Sequence, residues 1–134
     1  MRLHHIGIAS INLERSIKHH QRLFNLQPIT DVVTDPLNKV TVILLSDPER
    51  KNALIELVCP LGEESPVSSI LRRGLSLYHL CYVVEDIESA LENARKNGAK
   101  IISGPNPAKL YNGKKIAFIY TLDGYIVEFL QEKG

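Results

Sequence analysis

The sequence predicts an α+β fold of two tandem βαβββ modules within one structural domain. The main observation is an internal repeat. A short apolar strand with histidine in third position occurs at 3–8 and again at 77–82, and each copy is followed by a helix signal. The halves also end alike, with glutamate in an apolar strand at 54–58 and at 126–130. One such half leaves a sheet face uncovered and is too small to be stable alone, so the two are expected to share a curved mixed sheet.

The first module, 1–62, contains one helix and further strands. Its helix starts at Asn12, a residue type that caps helix N-termini. Two strands are predicted at 27–34 and 40–46, and a polar turn at 47–52 leads into the strand 54–58.

The second module, 76–134, follows a connector at 63–75. Residues 59–66 are rich in turn formers, and a short helix is expected after Pro66 and before Gly74. The helix of the second module starts at Asp86, its apolar residues recur at helical spacing, and Gly98 ends it. The remaining strands are predicted at 100–103, 115–121 and 126–130, the last two joined by the Asp123–Gly124 turn signal.

Composition excludes several function classes. The chain has 134 residues, 16 Lys plus Arg against 15 Asp plus Glu, and a net charge of +1, which does not favour nucleic acid as a partner. It has no apolar run long enough for a membrane span, and the start of the chain does not resemble a signal peptide. We therefore expect a cytoplasmic protein without nucleic-acid or membrane partners.

Four polar residues within apolar strands stand out: His5, Glu56, His79 and Glu128. Each module supplies one histidine on its first strand and one glutamate on its last. Taken singly, each has an ordinary structural explanation, because polar residues often face solvent from a strand. Together they follow the repeat, which predicts convergence on one divalent metal per chain, such as Zn, Co, Ni, Mn or Fe.

The other histidines and the cysteines are weaker ligand candidates. His4 points away from the face of His5 by strand alternation, although a different register would exchange the two. His19 and His20 fall on the first helix, where they are expected to be solvated or to pack locally. Cys59 and Cys81 lack metal-ligand spacing and are expected to be buried thiols.

The repeat and its motifs resemble the vicinal oxygen chelate superfamily, which includes glyoxalase I, methylmalonyl-CoA epimerase, extradiol dioxygenases and antibiotic-resistance proteins. The resemblance covers nearly the whole chain. It rests on four segments, 3–9, 55–57, 78–80 and 123–128, and it implies paired βαβββ modules around a divalent metal, commonly in a homodimer. Segments 57–66 and 112–118 resemble the epimerases in particular.

Two positions depart from the epimerase pattern. Epimerases often have glutamine where this chain has Glu56, so the ligand set itself is more similar to that of glyoxalase I. Leu37 stands near the position where the resemblance implies a second acid–base glutamate, and Asp35 is the nearest carboxylate.

The resemblance implies a mechanism in which the substrate chelates the metal through two oxygens and passes through an enolate. Glu128 is the predicted base, with Glu56 as its partner. Lys114 and Tyr120 are candidates for substrate binding, with Lys115, Arg72, Arg73 and Tyr111 as further options. For the cations, plain solvent exposure is the alternative explanation.

Three functions remain open from the sequence. The first is an epimerase-like isomerase acting on an acyl-CoA, and the second is a lactoylglutathione lyase of glyoxalase I type acting on a glutathione adduct. The third, from another class, is a binding or resistance protein without catalysis, which the intact ligand set disfavours. An extradiol dioxygenase is disfavoured as well, because it needs an additional catalytic histidine.

Overall fold

The computed structural model describes residues 1–133; Gly134, the last residue of the predicted second module, lies outside the described part. Nine strands and three α-helices form from these residues, in the α+β class that the sequence predicts. The chain divides into two compact units, residues 5–78 and residues 79–133 together with 1–4. The module boundaries at 62 and 76, with a connector between them, stay a prediction.

The unit of residues 5–78 has the predicted strand–helix–strand order. Its elements are β1 (Arg2–Ala9), α1 (Leu13–Phe24), β2 (Gln27–Pro28), β3 (Val33–Asp35), β4 (Val40–Ser46), β5 (Leu54–Pro60) and α2 (Pro66–Arg72). The strand order is β2-β4-β5-β1, and β3 also pairs with β4. β1 and β5 run parallel, whereas β4 is antiparallel to its partners.

The single strand predicted at 27–34 is wrong, because the structure has two short strands there. Both pair with β4, but four residues between β2 and β3 face only two residues of β4. The extra residues form a bulge, and the Thr30 hydroxyl accepts the Leu44 N–H at 3.1 Å. A side chain therefore satisfies the backbone group that a regular ladder would have paired.

The helix α1 begins where the sequence predicts. Asn12 caps it by accepting the N–H of Arg15 at 3.0 Å, and Asn25 ends it in the left-handed conformation. Leu13 and Ile17 pack against buried side chains of β4 and β5, which are Ile43, Leu45 and Leu57. One face of this sheet is thus covered by α1, and the opposite face carries other residues by strand alternation.

The second unit contains β6 (Leu77–Val84), α3 (Ile87–Lys96), β7 (Lys100–Pro107), β8 (Lys115–Tyr120) and β9 (Ile126–Gln131). The strand order is β6-β9-β8-β7, with β6 and β9 parallel. A short 3-10 helix, Lys109–Tyr111, precedes β8. α3 covers one sheet face through a core that includes Ile87, Leu91, Val127 and Phe129.

β7 runs four residues beyond the predicted end at Ser103. It reaches Pro107 through two register shifts against β8. Gly104 allows the irregular path, since its φ is +89° and a Cβ there would lie 2.6 Å from the Ile116 carbonyl oxygen. β7 is the edge strand of its unit, and prolines are tolerated in edge strands. The strand was predicted to end at Ser103 because the glycine and prolines that follow usually mark loops.

Asp86 caps α3 and gives the fold an acid-sensitive contact. Its carboxylate accepts the Ser89 hydroxyl at 2.8 Å and the Glu88 N–H at 3.1 Å, and the Ser89 bond is the main reason that its pKa lies below the ordinary 3.8. A lowered pKa stabilises the fold above the unfolded value, and this contribution is lost as the pH falls through the folded value.

We therefore expect the stability advantage of the native protein over Asp86→Asn to shrink as the pH falls below about 3.8. The amide keeps a capping acceptor but does not titrate in this range. Urea unfolding of both proteins across a pH series measures the difference. A difference that stays constant down to acid pH would contradict the role of the carboxylate charge.

Candidate functional site

The unit of residues 5–78 holds one histidine–glutamate pair. His5 is 0% exposed and Glu56 is 5% exposed, and His5 Nε2 lies 3.6 Å from Glu56 Oε2. On the paired strands Gly7 lies opposite Glu56, and His5 precedes Gly7 by two residues, on the same face. The two side chains therefore meet along a diagonal between the parallel strands β1 and β5.

The second unit holds a matching pair. His79 and Glu128 are 4% and 2% exposed, and His79 Nε2 lies 3.0 Å from Glu128 Oε1. Here Cys81 lies opposite Glu128 on the parallel strands β6 and β9, and His79 precedes Cys81 by two residues. The internal repeat of the sequence thus extends to the placement of both side-chain pairs on their own strands.

The neighbours of the two glutamates differ. On the antiparallel side Glu56 lies opposite Leu44, whereas Glu128 lies opposite Phe118. The Phe118 ring packs edge-on against the His79 ring, with centroids 5.5 Å apart and planes at 85°. Phe118 therefore restricts the orientation of the His79 ring. Phe118 was not predicted as a site residue from the sequence, although Leu44 and Phe118 are 74 residues apart, the same spacing as His5 and His79.

The donor chemistry of each pair fits a divalent metal. Imidazole nitrogen and carboxylate oxygen are ligands of Zn and its neighbours in the first transition row. A carboxylate buried in a sheet is costly unless a cation compensates its charge, and a bound metal ion would provide that compensation. A protonated histidine would compensate the charge as well, which leaves a purely structural ion pair as the alternative for either pair.

The remaining histidines lie on β1 and α1. His4 is half-buried, with its ring edge-on to Tyr111 at 5.7 Å between centroids. His20 lies on α1, where its Nδ1 is 2.8 Å from the Ser16 carbonyl oxygen and its ring packs against Phe24. His19 is exposed on the same helix.

The candidate substrate-binding residues Lys114 and Tyr120 lie at opposite ends of β8. Tyr120 ends the strand, shares the sheet face of Phe118, and is 47% exposed. Lys114 directly precedes the strand, is exposed, and lines a cleft with Tyr111. Lys115, Arg72 and Arg73 are exposed as well.

Asp35, the carboxylate nearest to Leu37, holds a turn. It is buried at the end of β3 and accepts the Asn38 side-chain amide at 2.8 Å and the Asn38 backbone N–H at 3.2 Å. Leu37 is 59% exposed in the same turn. The contacts of Asp35 with Asn38 stabilise the β3–β4 connection.

Neither cysteine resembles a nucleophile. Burial raises the pKa of the Cys59 thiol, and the hydrogen bond from the Leu13 backbone N–H offsets this only in part. A raised pKa lowers the thiolate fraction at neutral pH, and the thiolate is the reactive form. The prediction of a buried thiol is confirmed for Cys81, which is fully buried, and is wrong for Cys59, which is only partly buried.

None of the α-helices among the described residues is long and apolar enough to cross a membrane.

Known proteins are similar to this chain in sequence and in fold. Residues 4–118 match the family model of the glyoxalase/bleomycin resistance protein/dioxygenase superfamily. An ethylmalonyl-CoA/methylmalonyl-CoA epimerase of Cereibacter sphaeroides is 32% identical over 97% of both chains. A lactoylglutathione lyase of Escherichia coli O157:H7 is 27% identical over 99% of this chain and 94% of its own.

A solved structure confirms the predicted fold. The crystal structure of methylmalonyl-CoA epimerase from Mycobacterium tuberculosis matches with a TM-score of 0.82 and 21% identity, over 98% of this chain and 88% of that one. The relatives in sequence are named as an epimerase and a lyase, and the prediction that the chain is an enzyme is confirmed. The chain belongs to the glyoxalase/bleomycin resistance protein/dioxygenase superfamily.

Proposed function

We propose that the chain is a divalent-metal-dependent epimerase of the methylmalonyl-CoA type. In this proposal His5, Glu56, His79 and Glu128 together bind one metal ion per chain, from the group Zn, Co, Ni, Mn and Fe. The observation that carries it is the matched burial of one histidine–glutamate pair on the same strand diagonal in each unit. The relative named as an ethylmalonyl-CoA/methylmalonyl-CoA epimerase supports the reaction class.

The proposed reaction moves one proton on the carbon next to the thioester carbonyl. A bound divalent metal would supply electrophilic stabilisation of negative charge on substrate oxygen. A carboxylate oxygen of Glu128 takes the proton, and Glu56 is its proposed partner in returning a proton to the same carbon. Burial of both carboxylates keeps bulk water away from the reacting carbon, so the proton leaves and returns through a carboxyl group, and each carboxyl group exchanges its proton with solvent between turnovers.

Proton exchange tests this function directly. The metal-loaded enzyme is incubated with methylmalonyl-CoA in heavy water, and deuterium at the α-carbon is followed by mass spectrometry together with chiral analysis of the thioester. We expect deuterium uptake and interconversion of the two epimers. Metal-loaded protein that gives neither would overturn the proposal.

A lactoylglutathione lyase is the second candidate, for a specific reason. Both histidines of the proposed set pair with glutamate, as the resemblance to glyoxalase I implies, and lyases are among the relatives. The adduct of methylglyoxal and glutathione is the matching substrate. Turnover of this adduct without exchange of methylmalonyl-CoA would favour the lyase.

Two accompanying expectations belong to the same proposal. The enzyme is a homodimer, so light scattering of the purified protein should give twice the chain mass. A measured mass equal to one chain would contradict this. A cytoplasmic location stays a prediction from the sequence, to be tested by fractionation of the source cells.

A further inference from the structure

Three neighbouring strands of the second unit place a phenylalanine beside the proposed base. β9 lies between β6 and β8, and Glu128 on β9 lies opposite Phe118 on one side and Cys81 on the other. His79 precedes Cys81 by two residues on β6, so the side chains of His79, Glu128 and Phe118 project from the same face of the sheet. On that face Glu128 is therefore flanked by one aromatic ring from each neighbouring strand.

The two rings lean toward each other across β9. Neighbouring strands lie about 4.8 Å apart, which separates β6 from β8 by roughly 10 Å. The ring centroids of His79 and Phe118 are nevertheless only 5.5 Å apart. Both side chains must therefore tilt over the strand between them, from which Glu128 projects. Since His79 Nε2 lies 3.0 Å from Glu128 Oε1, the phenyl ring that packs against this imidazole also covers the carboxylate.

Apolar neighbours hold the phenyl ring in this place. Phe118 packs against a buried cluster of the second unit that includes Cys81, Ile116 and Leu130. The ring presents only carbon and hydrogen to its surroundings, and the Glu128 carboxylate is 2% exposed. A phenyl ring neither donates nor accepts the substrate proton, so any effect of Phe118 on the reaction must act through the groups that it covers.

We propose that Phe118 is a positioning residue that shields the Glu128 carboxyl group from water while that group carries the substrate proton. The inference rests on the proposed function. In the proposed step the α C–H bond breaks, its electron pair stays on the substrate, and a Glu128 oxygen gains the proton. Under the shield this proton can return to the same carbon before solvent replaces it. Removing the ring frees more space than the about 30 Å³ that one water molecule occupies, and water then exchanges the proton within the turnover.

The test follows deuterium in the starting epimer. Each epimer of methylmalonyl-CoA is incubated with metal-loaded enzyme in heavy water, and the recovered starting epimer is analysed at low conversion. Phe118→Ala should raise its deuterium content several-fold for the epimer that Glu128 deprotonates and leave the other epimer unchanged. The fall in kcat should be smaller than the roughly 10²-fold minimum for loss of a general base.

Two further variants control for packing. Phe118→Leu introduces the residue type of Leu44, which lies opposite Glu56 in the first unit, and should raise the deuterium content less than Phe118→Ala does. It keeps an apolar side chain in the cluster and so tests the shield in a protein with milder loss of packing. Ile116→Ala removes a buried side chain from the same cluster and should leave the deuterium content of both epimers unchanged.

Carbodiimide labelling separates failure of this inference from failure of the proposed function, because it needs no turnover. The reagent and glycine ethyl ester convert accessible carboxyl groups to amides, which peptide mass spectrometry locates. The comparison is made in phenanthroline, since a bound metal ion would itself protect the carboxyl group. Labelling of Glu128, relative to the exposed Glu92, should rise several-fold in Phe118→Ala and stay native in Ile116→Ala.

The outcomes are distinct. Enzyme that exchanges neither epimer, yet shows increased labelling of Glu128 in Phe118→Ala, disproves the epimerase and keeps the shield. Native labelling of Glu128 in Phe118→Ala overturns the shield. So does a deuterium content in Phe118→Ala that stays native in an active enzyme or rises equally for both epimers.

Discussion

Replacing Glu128 with glutamine lowers kcat for α-proton exchange by about 10²- to 10⁴-fold, which is the usual contribution of a positioned general base. The amide oxygen can keep the contact with His79 Nε2, now 3.0 Å from the carboxylate, so the buried pair retains its shape. The amide cannot accept the substrate proton. The loss therefore falls on proton transfer rather than on folding.

The assay uses saturating metal, with metal content measured on the same sample, because Glu128 is also a proposed ligand. Glu92→Gln is the control, since it removes an exposed carboxylate from α3 in the same unit. Near-native kcat for Glu128→Gln would exclude Glu128 as the base. If the Glu128→Gln protein loses activity only at limiting metal and recovers it fully with excess metal, Glu128 acts as a metal ligand and not as the base.

Saturating metal stabilises the native protein by about 2.7 kcal/mol when the free ion is at 100 times its Kd. The reason is that the folded chain presents buried imidazole and carboxylate ligands, while the unfolded chain does not hold them together. Urea unfolding with metal, compared with unfolding in a chelator, measures the gain. His5→Ala and His79→Ala should each abolish most of it.

His19→Ala is the matched control, because it removes an exposed imidazole on α1. It should retain the full metal-dependent gain. If His5→Ala keeps the native gain while His79→Ala loses it, the two pairs do not act on one ion. Equal curves with metal and with chelator for the native protein would exclude a metal bound preferentially by the fold.

Much of the fold could be predicted because the repeat constrains it. Caps at Asn12 and Asp86 and the Asp123–Gly124 turn are local signals that act through neighbouring backbone groups, so the sequence carries them in full. The predictions of strand bounds were wrong where the backbone departs from regular strand geometry. The bulge before β3 and the path of β7 past Gly104 depend on contacts with other strands, which a local pattern does not encode.

The candidate site could likewise be predicted only in part. Strand alternation and the repeat single out His5, Glu56, His79 and Glu128 as the matched polar residues, and the structure buries each histidine beside the glutamate of its own unit. The side chains that surround them, such as Phe118, are ordinary apolar residues in the sequence. Their importance comes from register, because Phe118 lies opposite Glu128 and against the His79 ring only once β8 and β9 have paired.

We propose that the two histidine–glutamate pairs, one in each unit, bind a single metal ion. Metal content per chain can be measured by mass spectrometry on tag-free protein loaded with Co, Ni or Zn. We expect one ion per chain, lost in His5→Ala and equally in His79→Ala. Two ions per chain, or one ion that survives either substitution, would contradict it.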